Sequence, residues 1–153
     1  MSGQSPRDVA LDLLAALGDQ DWDTVSRLYA EDVVVHWPLC LPEPATLEGR
    51  EAIHHMLRET WGVLEFRPTN IRVHETGNPD IVIAEYDYDG RVVATGRSFQ
   101  AANVLVLTVH GGQIVNARGY HNHAVMAAMR GIFETVTLEL SLVDKENRRP
   151  VPQ

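Results

Sequence analysis

The sequence predicts an α+β fold: three N-terminal helices packed in a curved, mostly antiparallel sheet that encloses a cavity. Three observations predict it. Apolar residues recur at helical spacing as far as Leu64 and at alternating spacing after Pro68. The turn signals Asn78-Pro79-Asp80, Asp89-Gly90 and Gly111-Gly112 cut the second part into strand-length runs. Helices before strands is the α+β order.

The first helix starts at Ser5-Pro6-Arg7-Asp8, a capping serine followed by proline at the first helical position and an acid in the first turn. Val9, Leu13, Leu14 and Leu17 follow on one stripe, and Gly18 is the expected stop. Asp21 caps a second helix, on which Trp22, Val25, Leu28 and Tyr29 share a stripe. Residues 33–37 are a short β-branched run, read as a strand, and the prolines at 38, 42 and 44 make the next segment a loop. Gly49-Arg50-Glu51 opens a third helix with Ile53, Met56, Leu57, Trp61 and Leu64 on its apolar side. His54 and His55 are adjacent, so on a helix they point roughly 100° apart and at most one can face a pocket.

Beyond Pro68 the pattern is that of strands. Residues 70–76 alternate. Residues 81–89 place Ile81, Ile83, Glu85 and Asp87 on one face and Val82, Ala84, Tyr86 and Tyr88 on the other. Residues 99–109 form a long apolar strand with Asn103 inside it. Residues 113–120 form another, followed by a short helix over 124–130 that ends at Gly131. Residues 136–142 alternate again and predict an extra strand, expected to add to the sheet or to cross to a second subunit, because an exposed apolar edge invites pairing. The domain is expected to span 5–143, with a polar tail over 144–153.

Composition narrows the function. A chain of 153 residues fits one domain and can bury a core without staples. A net charge of −8 argues against nucleic acid and anionic membranes, both of which call for basic patches. No apolar run approaches the ~20 residues of a membrane span, and the N-terminus lacks the apolar core of a signal peptide. The single cysteine, Cys40, rules out an intrachain disulfide and makes the cytosol the default compartment. A phosphate-binding glycine loop, a CxxC pair and a GxSxG motif are all missing, so nucleotide, redox-thiol and serine-hydrolase readings have no support, and no cofactor is expected.

Three blocks carry a family likeness. HETGNPDIVIAEYDYDG, residues 74–90, is similar to a threonine-containing turn followed by a strand with a glutamate and a glycine turn. The strand holding Asn103, and GQIVNARGYHNH over 112–123, supply the second and third. Together with the Gly49-Arg50-Glu51 helix they resemble the nuclear transport factor 2-like superfamily, the cystatin-like α+β barrels that include ketosteroid isomerases and SnoaL-like polyketide cyclases. The nearest likeness is to the SnoaL-like phenazine-biosynthesis A/B proteins, over most of residues 8–131. The resemblance implies a homodimer formed through the outer sheet face, and a helical histidine corresponding to His55 or His54. It also implies a functional glutamate where this chain has Gly119, so the imine-forming chemistry of the phenazine proteins is not carried over.

The chemistry is read from strand parity. Val115, Ala117, Gly119 and His121 share one face of the 113–121 strand, small residues suited to lining a cavity with a histidine at its end. The lead reading is an acid–base enzyme that isomerises or cyclises a small, apolar, cyclic or polyketide-like metabolite. His121, or Glu85 or Asp87 on the neighbouring strand, is the expected base, since histidine titrates nearest neutrality and a carboxylate in an apolar cavity has its pKa raised. Trp37, Trp61 and Phe99 are expected as apolar walls, and Asn103 or Tyr29 as a donor to a developing oxyanion. His55 and Gly119 complete the expected lining. The alternative is a binding protein of the same fold without turnover. Metal chemistry through His121 and His123 is weaker, for want of a third ligand with specific spacing.

Overall fold

The computed structural model describes residues 3–129. The predicted strand over 136–142 and the tail over 144–153 lie outside the described residues. The elements run α1 (Pro6–Asp19), α2 (Trp22–Leu28), β1 (Tyr29–Trp37), β2 (Ala45–Glu48), α3 (Arg50–Val63), β3 (Leu64–Glu75), β4 (Ile81–Val92), β5 (Ser98–His110), β6 (Gln113–His121) and α4 (His123–Met129).

Local chemistry sets the helix ends. The Ser5 hydroxyl accepts from the Asp8 amide at 3.1 Å, and Pro6 takes the first position, where its missing N–H costs nothing. The helix runs past Gly18 and ends when Gln20 turns left-handed, at φ 57°. Gly18 serves a different purpose: a Cβ there would meet the Pro68 ring at 2.9 Å, so the glycine lets β3 lie close against the helix. The Asp21 carboxylate accepts from the Thr24 amide at 3.1 Å and starts α2, as its position predicts. Gly49 precedes α3 at φ 87°, and the Arg50 guanidinium then donates twice to the Tyr29 carbonyl, at 3.1 and 2.9 Å, tying α3 to β1.

One six-stranded sheet has the order β2-β1-β6-β5-β4-β3. All its pairings are antiparallel except β1 with β6. Alternation decides its two faces. Val82, Ala84, Tyr86 and Tyr88 of β4 are buried, as are Ala101, Asn103, Leu105, Leu107 and Val109 of β5. Apart from Ala101 and Asn103, these meet Val9, Leu13, Leu14 and Leu17 of α1, Val25 and Leu28 of α2, and Ile53 and Leu57 of α3 in one core. Each fully buried aliphatic side chain contributes about 1.5–3 kcal/mol relative to exposure, which is why the sheet curls over the helices.

The strands differ from their sequence reading: β1 starts at Tyr29 and β3 at Leu64, residues that the helical spacing assigns to α2 and α3, and three further points depart from it. Pro68 lies inside β3 instead of preceding it, because β3 is an edge strand and can spare an amide. Asp89-Gly90 is no turn: both residues pair with β3 and β5, and the chain reverses over 93–97 instead. The Phe99 ring lies over Gly90 in the space a side chain would fill, so the glycine is covered within the sheet. The proline-rich loop holds a short strand, β2, on the sheet edge. A one-residue bulge between Thr69 and Arg72, with Asn70 at φ 52°, bends β3.

Candidate functional site

Between α3, the end of α1 and the concave face of the sheet lies a cavity of about 180 Å³. The sheet contributes Tyr29, Val35 and Trp37 from β1, Leu47 from β2, Phe66 from β3, Tyr86 and Tyr88 from β4, Leu105 from β5 and His121 from β6. The helices contribute Leu17, Ile53, Met56, Leu57, Thr60, His123 and Met126, and the β1–β2 loop contributes Cys40. The lining is mainly apolar and aromatic, with a few polar tips, which is the usual make-up of a small-molecule site.

Strand register places those tips. Tyr86 pairs with Asn103, and Asn103 pairs with His121, so the three stand in a row across β4, β5 and β6. The His121 Nδ1 lies 2.9 Å from Asn103 Oδ1, while Asn103 Nδ2 donates to the Ala101 carbonyl at 2.9 Å. The second bond fixes the first. Turning the amide over would set its oxygen against the Ala101 carbonyl, two acceptors facing each other inside the protein. The amide oxygen therefore faces His121 and can only accept, so Nδ1 carries the proton. In the neutral ring Nε2 then has a free lone pair.

The surroundings keep that ring neutral. Burial, aided by the neighbouring His123, lowers the His121 pKa to about 4. Burial also lowers that of His123, whose Nε2 is buried without a hydrogen-bond partner. The two rings lie 5.6 Å apart, and each stands within 6.4 Å of Trp37. Burial, with a coulombic contribution from Tyr88, raises the pKa of Tyr29; the same causes push Tyr86 up strongly, and burial takes Tyr88 to about 12. All three phenols thus stay protonated at neutral pH and can donate. Tyr86 and Tyr88 hold their hydroxyls 3.5 Å apart, a loose pair with capacity left for a third group. Among the described residues no carboxylate, lysine or arginine lines the cavity.

The residues singled out from the sequence divide into three sets. His121, Tyr29 and Trp37 line the cavity. Asn103 and Gly119 lie directly behind the lining: Asn103 holds the imidazole, and a Cβ at Gly119 would meet both His121 and Trp37. The remaining five lie elsewhere. Glu85 and Asp87 point from the opposite face of β4, because the large amphipathic tyrosines take the inner face. There Glu85 pairs with His74 at 2.6 Å, and Asp87 accepts from Asn70 at 2.9 Å. His55 is exposed on α3, 3.4 Å from Glu59, and His54 stacks on Trp22 with ring centres 3.9 Å apart, so neither histidine faces the cavity. Trp61 packs against the core without lining the cavity, its indole N–H buried without a partner. Phe99 covers Gly90 and borders a separate surface groove of about 610 Å³ with Asp19, Glu65 and Arg91.

Sequence reasoning passed over Tyr86 and Tyr88, although it placed them correctly on one face. The signal was available: two tyrosines alternating with acids mark the inner face, since buried carboxylates need partners and tyrosine bodies are apolar. Met56, Thr60 and Met126 carried no comparable mark. His121, His123 and Cys40 all border the cavity, yet among the described residues no three donors form a group able to hold a metal.

The SnoaL-like domain pattern matches residues 10–117. The chain belongs to the SnoaL-like domain family. A PhzA/B-like protein of Pseudomonas aeruginosa, PA3332, is 31% identical over 96 residues, covering 62% of this chain and 68% of that one. A Bacillus subtilis protein of known structure, provisionally named an isomerase, superposes with a TM-score of 0.75 at 24% identity, covering 82% of this chain and 92% of its own. A Xanthomonas campestris protein provisionally named a polyketide cyclase gives 0.70 at 22%, with 80% and 94% covered. The SnoaL-like chain thus has the nuclear transport factor 2-like, ketosteroid isomerase-like fold that its sequence blocks resemble. No helix among the described residues is long and apolar enough to cross a membrane.

Proposed function

We propose that this SnoaL-like chain is an acid–base enzyme that moves a proton on a small, uncharged, cyclic metabolite, with His121 as the proton acceptor. The observation that carries the reading is the Asn103–His121 hydrogen bond, which leaves Nε2 unprotonated on an imidazole that lines an apolar cavity. In the proposed step His121 Nε2 takes a proton from carbon next to a ring carbonyl. The electron pair moves onto the carbonyl oxygen, and a tyrosine hydroxyl at the Tyr86–Tyr88 pair, or that of Tyr29, donates to the oxyanion. Return of the proton to another carbon gives isomerisation; attack of the carbanion on a second carbonyl, with the proton passing from His121 to the new alkoxide, gives cyclisation. The size of the cavity supports a single ring as the buried part, since an apolar cavity of roughly 150 Å³ holds a benzene. The names of the isomerase and cyclase neighbours agree in class.

Glu85 and Asp87 have no part in this scheme, and Asn103 orients the base instead of meeting the oxyanion. A binding protein without turnover is the second reading, favoured by the lack of a carboxylate in the described lining. The test is proton exchange. Cyclohex-3-enone and related single-ring ketones are incubated in deuterium oxide with the protein, and isomerisation and deuterium uptake are followed by NMR. The proposal expects uptake stimulated by the native chain and reduced about 10²–10⁴-fold by His121→Ala, the range for a general base. Binding with uptake no faster than that of His121→Ala would favour the second reading.

A further inference from the structure

We infer that Gly119 is a positioning residue: the space left by its missing side chain is the seat of the His121 imidazole, and a side chain at 119 excludes this pose. Gly119 is buried on β6, opposite Leu105, and its side-chain direction is that of the cavity floor. Backbone conformation does not demand glycine there, since Gly119 is not among the glycines with positive φ. A glycine in a strand interior sacrifices packing and chain entropy, so its presence calls for a reason in space. The reason is visible. A Cβ at 119 would sit 2.5 Å from His121 Nε2, 3.1 Å from His121 Cδ2 and 3.0 Å from Trp37 Cδ1.

Residues 119 and 121 project from the same face of the strand, so the imidazole reaches this position by folding back along its own chain. From there its Nδ1 meets Asn103 Oδ1 and its ring stands 6.4 Å from that of Tyr88, nearly parallel at 19°. The imidazole is the far end of a rotatable side chain, so it yields to a new Cβ before the strand does. Yielding breaks the Asn103 bond, leaves Asn103 Oδ1 buried without a donor, and removes the ring from its apolar surroundings. Gly119 therefore decides both where the imidazole stands and how readily it takes a proton.

The test uses Gly119→Ala in the full chain, with two readouts that need no substrate. In a histidine-detected NMR titration, His121 is expected to titrate at least one pH unit higher in Gly119→Ala than in the native chain. In a thermal double-mutant cycle, Gly119→Ala is expected to lower Tm more in the native chain than in the His121→Ala background, where the imidazole no longer meets the new methyl although Trp37 still does. A folded Gly119→Ala with His121 titrating as in the native chain, or an equal loss of Tm in both backgrounds, would overturn the inference. If Gly119→Ala fails to fold alone but folds with His121→Ala, the inference is supported. If neither folds, Trp37 and not His121 is the occupant that matters, and the inference fails. A third readout rests on the proposed proton transfer: deuterium uptake falls at least tenfold in Gly119→Ala. Failure of that arm alone, with the other two as expected, counts against the reaction and not against the seat.

Discussion

Asn103 is a neutral residue that accepts from a neutral imidazole, and this makes its replacement informative. Asn103→Asp keeps the shape but sets a carboxylate against the Nδ1 proton of His121. An opposite charge at hydrogen-bond distance favours the imidazolium, so the His121 pKa rises by one to three units, roughly, from about 4. An NMR titration of the variant checks this; an unchanged value would mean that the two side chains do not touch. The same lowered pKa has a consequence for stability. The unfolded chain takes up a proton on this histidine near 6.5, whereas the folded chain waits until about 4. Stability from neutral His121 is therefore complete above about pH 6.5, falls as the pH drops toward 4, and loses on the order of 3 kcal/mol at most, with His123 acting in the same direction. Urea unfolding at pH 7, 5.5 and 4.5 measures the loss, and His121→Ala should flatten it.

At the scale of the element, β4 separates cavity-facing from outward-facing groups by parity alone. Tyr86→Phe removes one buried donor from the cavity, and deuterium uptake is expected to fall while the fold persists. Glu85→Gln and Asp87→Asn change only the outer face, so uptake should match the native chain and stability should stay within about 0.5 kcal/mol. A large loss from either outer-face change, with Tyr86→Phe silent, would reverse the assignment of faces. The alternation of β4 was legible in the sequence, as was that of β6 from Ala117 to His121. Which side of β4 turns inward was not settled by alternation, which leaves direction to packing; only the contrast of tyrosines with acids marked it. The same limit hid Pro68 and Gly90. A proline in a strand is intelligible once β3 is known to be an edge, and a glycine in mid-strand once Phe99 is known to cover it. The caps at Ser5 and Asp21 were readable because the bonds that define them span three residues. His55 could not be excluded from the pocket until the rotation of α3 was fixed by Ile53 and Leu57 facing the core.

At the scale of the whole molecule, a curved sheet and three helices from the N-terminal half surround a hollow of about 180 Å³. The hollow is lined by two neutral imidazoles and several protonated hydroxyls, and a hydrogen bond between neighbouring strands fixes the proton of one imidazole. The acidic balance of the chain, −8 overall, has no counterpart inside: the described lining holds no carboxylate, lysine or arginine, and burial keeps its two histidines neutral. Burying a charged guest without a partner costs several kcal/mol, so uncharged rings should bind in preference to their carboxylate analogues. The account as a whole depends on the state of one imidazole, and nitrogen-detected NMR of His121 during titration with phenol, an uncharged single-ring mimic of an enol, reads that state directly. The account predicts a ring protonated at Nδ1 and bare at Nε2 across neutral pH, titrating near 4, with the Nε2 resonance shifting as phenol binds. A histidine that titrates near 6.5 and does not respond to phenol would contradict it.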